Sequence, residues 1–122
     1  MPRKKKMMLH SDGAIRPFLP DIIACGIEVI DPVQGVCAVM ELAGLKRDFG
    51  DRLSFHGGVD TQYILPFKSA EEVRQEAVRV IRALGPAGGL ILGPSHFIQS
   101  DVPPENIVAI CQAATEYGKY PL

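Results

Sequence analysis

Residues 69–93 read SAEEVRQEAVRVIRALGPAGGLILG, a helical pattern followed directly by a short apolar run. Ser69 and Glu72 have the spacing of a capping box, in which each side chain pairs with a free backbone amide at the helix start. The apolar positions that follow recur with helical period, and they are Ala70, Val73, Ala77, Val80, Ile81 and Leu84. Gly85-Pro86 ends this pattern. The segment therefore predicts a helix over 69–84 and a buried strand over 89–93.

The same alternation of apolar runs and helical patterns extends towards the amino terminus and recurs once more after this segment. Strands are predicted at about 6–10, 27–31, 53–57 and 89–93, and helices at about 15–25, 34–44, 69–84 and 103–117. Loop 45–52 carries no recognisable motif. The order βαβαβαβα predicts an α/β fold with a parallel sheet covered by helices. A doubly wound sheet and a piece of a (β/α)₈ barrel are both compatible with it.

Length and composition predict one domain over residues 1–122. The chain is 47% hydrophobic and 22% charged with a net charge of −1, which argues against disorder and against nucleic-acid binding. No apolar run is long enough to span a membrane. Residues 1–5 are expected to be a basic tail, and no apolar signal segment follows them, so a cytoplasmic location is expected. The three cysteines, Cys25, Cys37 and Cys111, are predicted to be buried thiols without a redox or ligand role.

Polar side chains lie at or just past the end of each predicted strand. The four stretches are His10-Ser11-Asp12-Gly13, Asp31 to Gln34, His56 to Gln62, and Pro94 to Asp101. Sites in parallel α/β proteins form at the carboxyl ends of the strands, where these loops meet. The sequence therefore predicts a functional site at this edge.

A metal site is one interpretation of this pattern. His10 and Asp12 are two residues apart on an extended segment, so their side chains point the same way. With His96 they would form a His-x-Asp…His set that suits Zn²⁺ or non-haem iron and leaves a position open. Alternatively, Asp12 caps the following helix and His10 forms hydrogen bonds within its own loop.

The remaining polar residues at this edge also have two interpretations each. His56 is a ligand, a substrate donor or a structural histidine, and Asp60 is a general acid or base, or a loop cap. Gln34, Gln62 and Gln99 offer amide groups to a polar substrate, or lie at its periphery. No glycine-rich nucleotide-binding motif follows any predicted strand.

Four stretches resemble the carboxyl-terminal half of the uroporphyrinogen decarboxylase superfamily. They are LHSDG at 9–13, FHGGVDTQ at 55–62, LPFKSAEEV at 65–73, and residues 88–107. The last, with His96 followed by Asp101-Val102-Pro103-Pro104-Glu105-Asn106-Ile107, is the most specific. The resemblance implies four βα units that correspond to the carboxyl-terminal half of a (β/α)₈ barrel.

The resemblance implies two alternative chemistries. The decarboxylase of porphyrin biosynthesis uses no cofactor, and His96 resembles its histidine after the last strand, which would contact a pyrrole acetate near Asp60. The cobalamin-dependent methyltransferases hold zinc with a His-x-Cys pair and a late cysteine. His10, Asp12 and His96 stand at those three positions here.

We expect metal-dependent methyl transfer of the second type. Zinc would lower the pKa of a bound thiol, alcohol or water, and a corrinoid on a partner protein would exchange the methyl group. His96 and Asp60 are the candidate catalytic residues. Gln34, His56, Gln62 and Gln99 are the candidate substrate-binding residues. A further alternative is an inactive half-barrel that self-associates or needs a missing amino-terminal half, because two open sheet edges favour association.

Overall fold

The computed structural model describes residues 4–122, which form four parallel strands in the order β1-β2-β3-β4. The strands are β1 (Met8–His10), β2 (Val29–Val33), β3 (Ser54–Val59) and β4 (Leu90–Pro94). The helices are α1 (Leu19–Ala24), α2 (Leu42–Phe49), α3 (Ala70–Leu84) and α4 (Pro104–Tyr117). The predicted alternation of four strands and four helices is confirmed, and each predicted strand begins one or two residues before the observed one.

Helix α3 forms as its sequence predicts. The Ser69 hydroxyl accepts a hydrogen bond from the Glu72 amide at 3.2 Å, and the Glu72 carboxylate accepts one from the Ser69 amide at 2.8 Å. Val73, Ala77 and Leu84 are fully buried in the core on the apolar face. The capping box therefore fixes the start of the helix that packs on β3 and β4.

The predicted helix over 34–44 is wrong, since α2 begins at Leu42 and occupies most of the segment that was read as a loop. Glu41 is the reason: its carboxylate accepts hydrogen bonds from the amides of Ala43 and Gly44 and so caps the helix start. A Cβ on Gly44 would lie 2.9 Å from that carboxylate. Gly44, which suggested a helix end, therefore lies inside the helix, where its missing side chain leaves space for the Glu41 carboxylate.

The predicted helix over 15–25 is divided into two short pieces. A 3₁₀ turn spans Arg16–Phe18 and α1 follows directly at Leu19. A proline stands in the first turn of each piece, Pro17 in one and Pro20 in the other. Proline is tolerated there because its missing N–H would have no helical partner, but it prevents one continuous helix.

The two faces of the sheet have different surroundings. Ile30 and Phe55 are neighbours across β2 and β3, and both are 1% exposed beneath the helices. The next residue along each strand points to the opposite face. That face, called the open face below, carries His10, Asp31, His56 and Ile91, and Ile91 is 51% exposed. Helices α2, α3 and α4 thus cover one face and leave the other uncovered.

The carboxyl-terminal segment contacts the outer edge of β4. The Tyr120 hydroxyl accepts a hydrogen bond from the Leu90 amide and donates one to the Leu90 carbonyl, both at 3.1 Å. The tyrosine therefore satisfies the first free backbone groups of the edge strand.

Three expectations about individual residues have different outcomes. Cys25 and Cys111 are exposed and Cys37 is half-buried, so the prediction of three buried thiols is wrong. Cys25 lies in the turn that ends α1, and Cys111 lies on the exposed side of α4. Of the predicted basic tail, Met1, Pro2 and Arg3 lie outside the described residues, and Lys4 and Lys5 are exposed. Among residues 4–122, no helix has the length and apolar character needed to cross a bilayer.

We predict that Gly58→Ala destabilises the fold more than Gly88→Ala. Both glycines have positive φ, at +98° and +84°, but a Cβ on Gly58 would lie 2.6 Å from Val80 Cγ1, whereas Gly88 has nothing within 4 Å. The expected losses in unfolding free energy are about 3 kcal/mol for Gly58 and about 1 kcal/mol for Gly88. Urea denaturation of the two variants measures the difference, and equal losses would contradict the packing argument.

Candidate functional site

Two adjoining clefts lie at the carboxyl ends of the strands. The first, here the glutamine cleft, has a volume of about 500 Å³. It is lined by Gln34, Thr61, Gln62, Tyr63, Phe67, His96, Phe97, Gln99, Asp101 and Val102. The second, here the histidine cleft, has a volume of about 340 Å³. It is lined by His10, Asp31, Pro32, His56, Pro94, His96, Phe97 and Ile98. His96 and Phe97 belong to both, so the two clefts share a wall.

Asp31 joins two histidines from neighbouring strands. Its Oδ2 lies 3.0 Å from Nδ1 of His10, and its Oδ1 lies 2.6 Å from Nδ1 of His56. Parallel pairing places His10 opposite Asp31, and His56 follows on the next strand. The sequence did not identify Asp31 as a functional residue. The sequence shows only that Asp31 lies at the end of a strand. Its contacts with His10 and His56 depend on the register of three strands, which the sequence does not show.

The hydrogen bonds change the protonation of both partners. The hydrogen bond that His10 donates to Asp31 is the largest effect on His10 and, with the nearby charge of Asp12, raises the pKa of His10 above its ordinary 6.5. Partial burial opposes ionisation of Asp31. The hydrogen bonds from His10 and His56 outweigh burial and lower the pKa of the Asp31 carboxyl below its ordinary value. Asp31 is therefore a carboxylate at neutral pH.

The structure pairs His10 with Asp31 more closely than with Asp12. Asp12 Oδ2 lies 3.7 Å from Nε2 of His10, and both side chains are about half exposed. Within residues 4–122, no three His, Cys, Asp or Glu side chains are grouped so that they could hold a metal ion. The predicted ligands His10, Asp12 and His96 are thus not assembled into a three-ligand group among the described residues.

Asp60 is placed as the cap of the turn after β3. It is 4% exposed, and its Oδ2 accepts hydrogen bonds from the amides of Tyr63 at 2.5 Å and Ile64 at 3.0 Å. Its Oδ1 is buried and has no hydrogen-bond partner among the described residues. Asp60 lines neither cleft. The geometry therefore gives it the loop-capping role and does not bring it together with His96.

The three predicted glutamines all line the glutamine cleft. Gln34 is buried, and its Oε1 accepts a hydrogen bond from the Gly13 amide at 2.6 Å, which leaves its amide nitrogen to contact a ligand. Gln62 and Gln99 are exposed at the mouth. His96 packs edge-to-face against Phe97, with ring centroids 5.7 Å apart. The three glutamines line the glutamine cleft together with His96, whereas His56 lines the histidine cleft.

The family model for uroporphyrinogen decarboxylase (URO-D) matches residues 1–117. The chain is 28% identical to the uroporphyrinogen decarboxylase of Magnetococcus marinus over 115 residues, which are 89% of this chain and 32% of that protein. It is 32% identical to the enzyme of Nitrosococcus oceani over 82 residues, which are 67% of this chain and 22% of that protein. The chain thus spans a third or less of the length of these two relatives.

The solved structure of a methyltransferase from Methanosarcina mazei has a similar fold. It superposes with a TM-score of 0.75 at 23% sequence identity, over 93% of this chain and 32% of that chain. This likeness confirms the predicted fold class, four βα units of the half-barrel type.

We predict that Asp31→Asn lowers the pKa of His10 more than Asp12→Asn does, because the Asp31 hydrogen bond is the largest influence on that ring. Histidine proton resonances followed by NMR through a pH titration measure both values. The folded state favours protonated His10. The contribution of this ring to the stability of the fold is therefore complete below the pKa that His10 has in the unfolded chain, and it is lost as pH rises through the pKa that His10 has in the folded chain. The difference in unfolding free energy between the unmodified chain and Asp31→Asn should therefore decrease as pH rises above about 6.5.

We predict that Asp60→Ala lowers the unfolding free energy by about 2 kcal/mol, since two backbone amides lose a carboxylate acceptor. Asp60→Asn keeps one acceptor oxygen and should cost less. Thermal and urea denaturation test this order. A larger loss in Asp60→Asn than in Asp60→Ala would contradict the capping role.

Proposed function

The chain belongs to the uroporphyrinogen decarboxylase family, and we propose that its site at the strand carboxyl ends serves methyl-group transfer to a thiol, alcohol or water. The observation that carries this proposal is the histidine cleft, where Asp31 organises two imidazole rings beside His96. Such a site can hold and move a proton on a nucleophile. Because the chain spans about a third of its relatives' length, we propose this activity for the assembled protein to which the chain contributes.

The two clefts formed by the described residues suit a neutral polar substrate. Among the described residues that line them, none is lysine or arginine, while Asp31 and Asp101 are acidic. A substrate with several acetate groups needs cationic partners to replace its lost hydration. The glutamine amides and aromatic rings suit a neutral polar molecule better.

The residues that were expected to bind zinc are not assembled as a set of ligands, and no step of the proposed transfer depends on that metal. A corrinoid carried by a partner protein fits the mouth of the site better. Tyr63, Phe67 and Phe97 line the glutamine cleft and are 63%, 77% and 80% exposed, which offers apolar surface to a flat macrocycle. When bound there, a methylcorrinoid would supply the methyl group.

The chain's own residues then have separate tasks. His96 stands in the shared wall and can hydrogen-bond the nucleophile between the clefts. The amides of Gln34, Gln62 and Gln99 orient a polar substrate in the glutamine cleft. Asp60 contributes by holding the turn that presents Tyr63 to that cleft.

We predict that the self-associated chain removes methyl groups from free methylcobalamin in the presence of a small thiol, and that His96→Ala lowers the rate at least about tenfold. Loss of the methylcobalamin absorbance measures the reaction. Gln112→Ala on the exposed side of α4 is the matched control and should retain the rate. Release of CO₂ from uroporphyrinogen, abolished by His96→Ala, would favour the decarboxylase alternative and contradict the proposal.

We further propose that the chain functions in association with a second half-barrel. Met8 and Ile91 on the open face are 48% and 51% exposed, and a parallel sheet is normally covered on both faces. Light scattering behind a sizing column should give at least twice the mass of one chain, and Ile91→Asp should reduce it. A monodisperse monomer would contradict this proposal.

A further inference from the structure

We infer that Asp31 is a positioning residue that holds His10 and His56 with their Nδ1 protons directed at its carboxylate, which leaves Nε2 of His56 as the proton acceptor of the site. This inference rests on the proposed function for the identity of the nucleophile. It names an acid–base device that uses neither Asp12 nor a metal.

The hydrogen-bond geometry carries the first step. A carboxylate can only accept, so each histidine nitrogen in contact with it must carry a proton. The two contacts are 2.6 Å to His56 Nδ1 and 3.0 Å to His10 Nδ1. A neutral imidazole has one N–H, so a neutral His56 held in this way has an unprotonated Nε2 with a free lone pair.

The two histidines have different neighbours, which separates their tasks. His10 lies between two carboxylates, Asp31 at 3.0 Å and Asp12 at 3.7 Å, and therefore favours the form with both nitrogens protonated. Of these two carboxylates, His56 contacts Asp31. His10 is thus suited to donate a hydrogen bond to the substrate, and His56 is suited to accept a proton from it.

The space beside Nε2 of His56 is bounded by a glycine. A Cβ on Gly93 would lie 3.4 Å from that nitrogen. Gly93 carries no side chain, so β4 leaves the position beside this nitrogen unfilled. A substrate atom can therefore approach the acceptor nitrogen from the side of β4.

The proton step follows directly. The bond between hydrogen and the nucleophile atom breaks, its electron pair stays on that atom, and the proton forms a new N–H bond at Nε2 of His56. The resulting imidazolium is stabilised by the Asp31 carboxylate at Oδ1. A thiol is the best matched nucleophile, because its ordinary pKa of about 8.5 makes it a stronger acid than an alcohol or water.

The experiment reads the tautomers directly by NMR correlation of the imidazole nitrogens and ring protons in the full chain. In the unmodified chain at high pH, neutral His56 should be the Nδ1–H form, and the Nε2–H form would overturn the inference without any variant. Asp31→Ala removes both acceptors and should shift His56 towards the Nε2–H form. Asp12→Asn is the matched control and should leave His56 unchanged.

The NMR measurement of the His56 tautomer requires no methyl donor. It therefore supports or overturns the role of Asp31 even where the methyl-transfer assay is negative. A folded Asp31→Ala chain whose His56 retains the Nδ1–H form would overturn it. In the assay, Asp31→Asn should lower kcat at least about tenfold with little change in KM, and Gly93→Ala should do the same by filling the space beside Nε2. Unchanged kcat in both variants would contradict the proton-acceptor role of His56.

Discussion

A carboxylate shared by two imidazole rings ties together three neighbouring strands, and the rest of the site is arranged around it. Asp31 reaches His10 on one side and His56 on the other, so the contact exists only while β1, β2 and β3 keep their parallel register. The helices cover the opposite face and hold that register through the buried Ile30–Phe55 row. Packing on one face of the sheet thus sets the hydrogen bonds of Asp31 on the other face. A defect in the core would therefore change the protonation of the two histidines.

The chain joins the histidine cleft, which is mainly suited to proton handling, to the glutamine cleft, which offers neutral hydrogen-bonding groups and aromatic rings. Since His96 and Phe97 form the wall between them, a molecule in one cleft contacts the same ring pair as a molecule in the other. This arrangement suits a transfer between two bound molecules better than the breakdown of one large substrate.

Much of the fold could be predicted because local signals agreed with the final packing. The capping box at Ser69 and the period of α3 both reflect interactions within one helix, so they are visible in the sequence. The start of α2 could not be predicted in the same way, because Gly44 resembles a helix end until the cap at Glu41 is known. Asp31 was missed for a related reason: Asp12 is the closer carboxylate to His10 along the chain, whereas Asp31 is the closer one in space.

The contact of Tyr120 with Leu90 has a consequence for the growth of the sheet. Any strand that joins β4 along its whole length must first displace a phenol that already satisfies both backbone groups there. Strand addition at β4 therefore costs the two hydrogen bonds between Tyr120 and Leu90, and this cost arises only at the first residue of the strand. A partner whose strand begins beyond Leu90 does not compete with Tyr120 and can pair with the rest of β4. An extended chain that pairs along the whole strand, as in fibre formation, is disfavoured at Leu90.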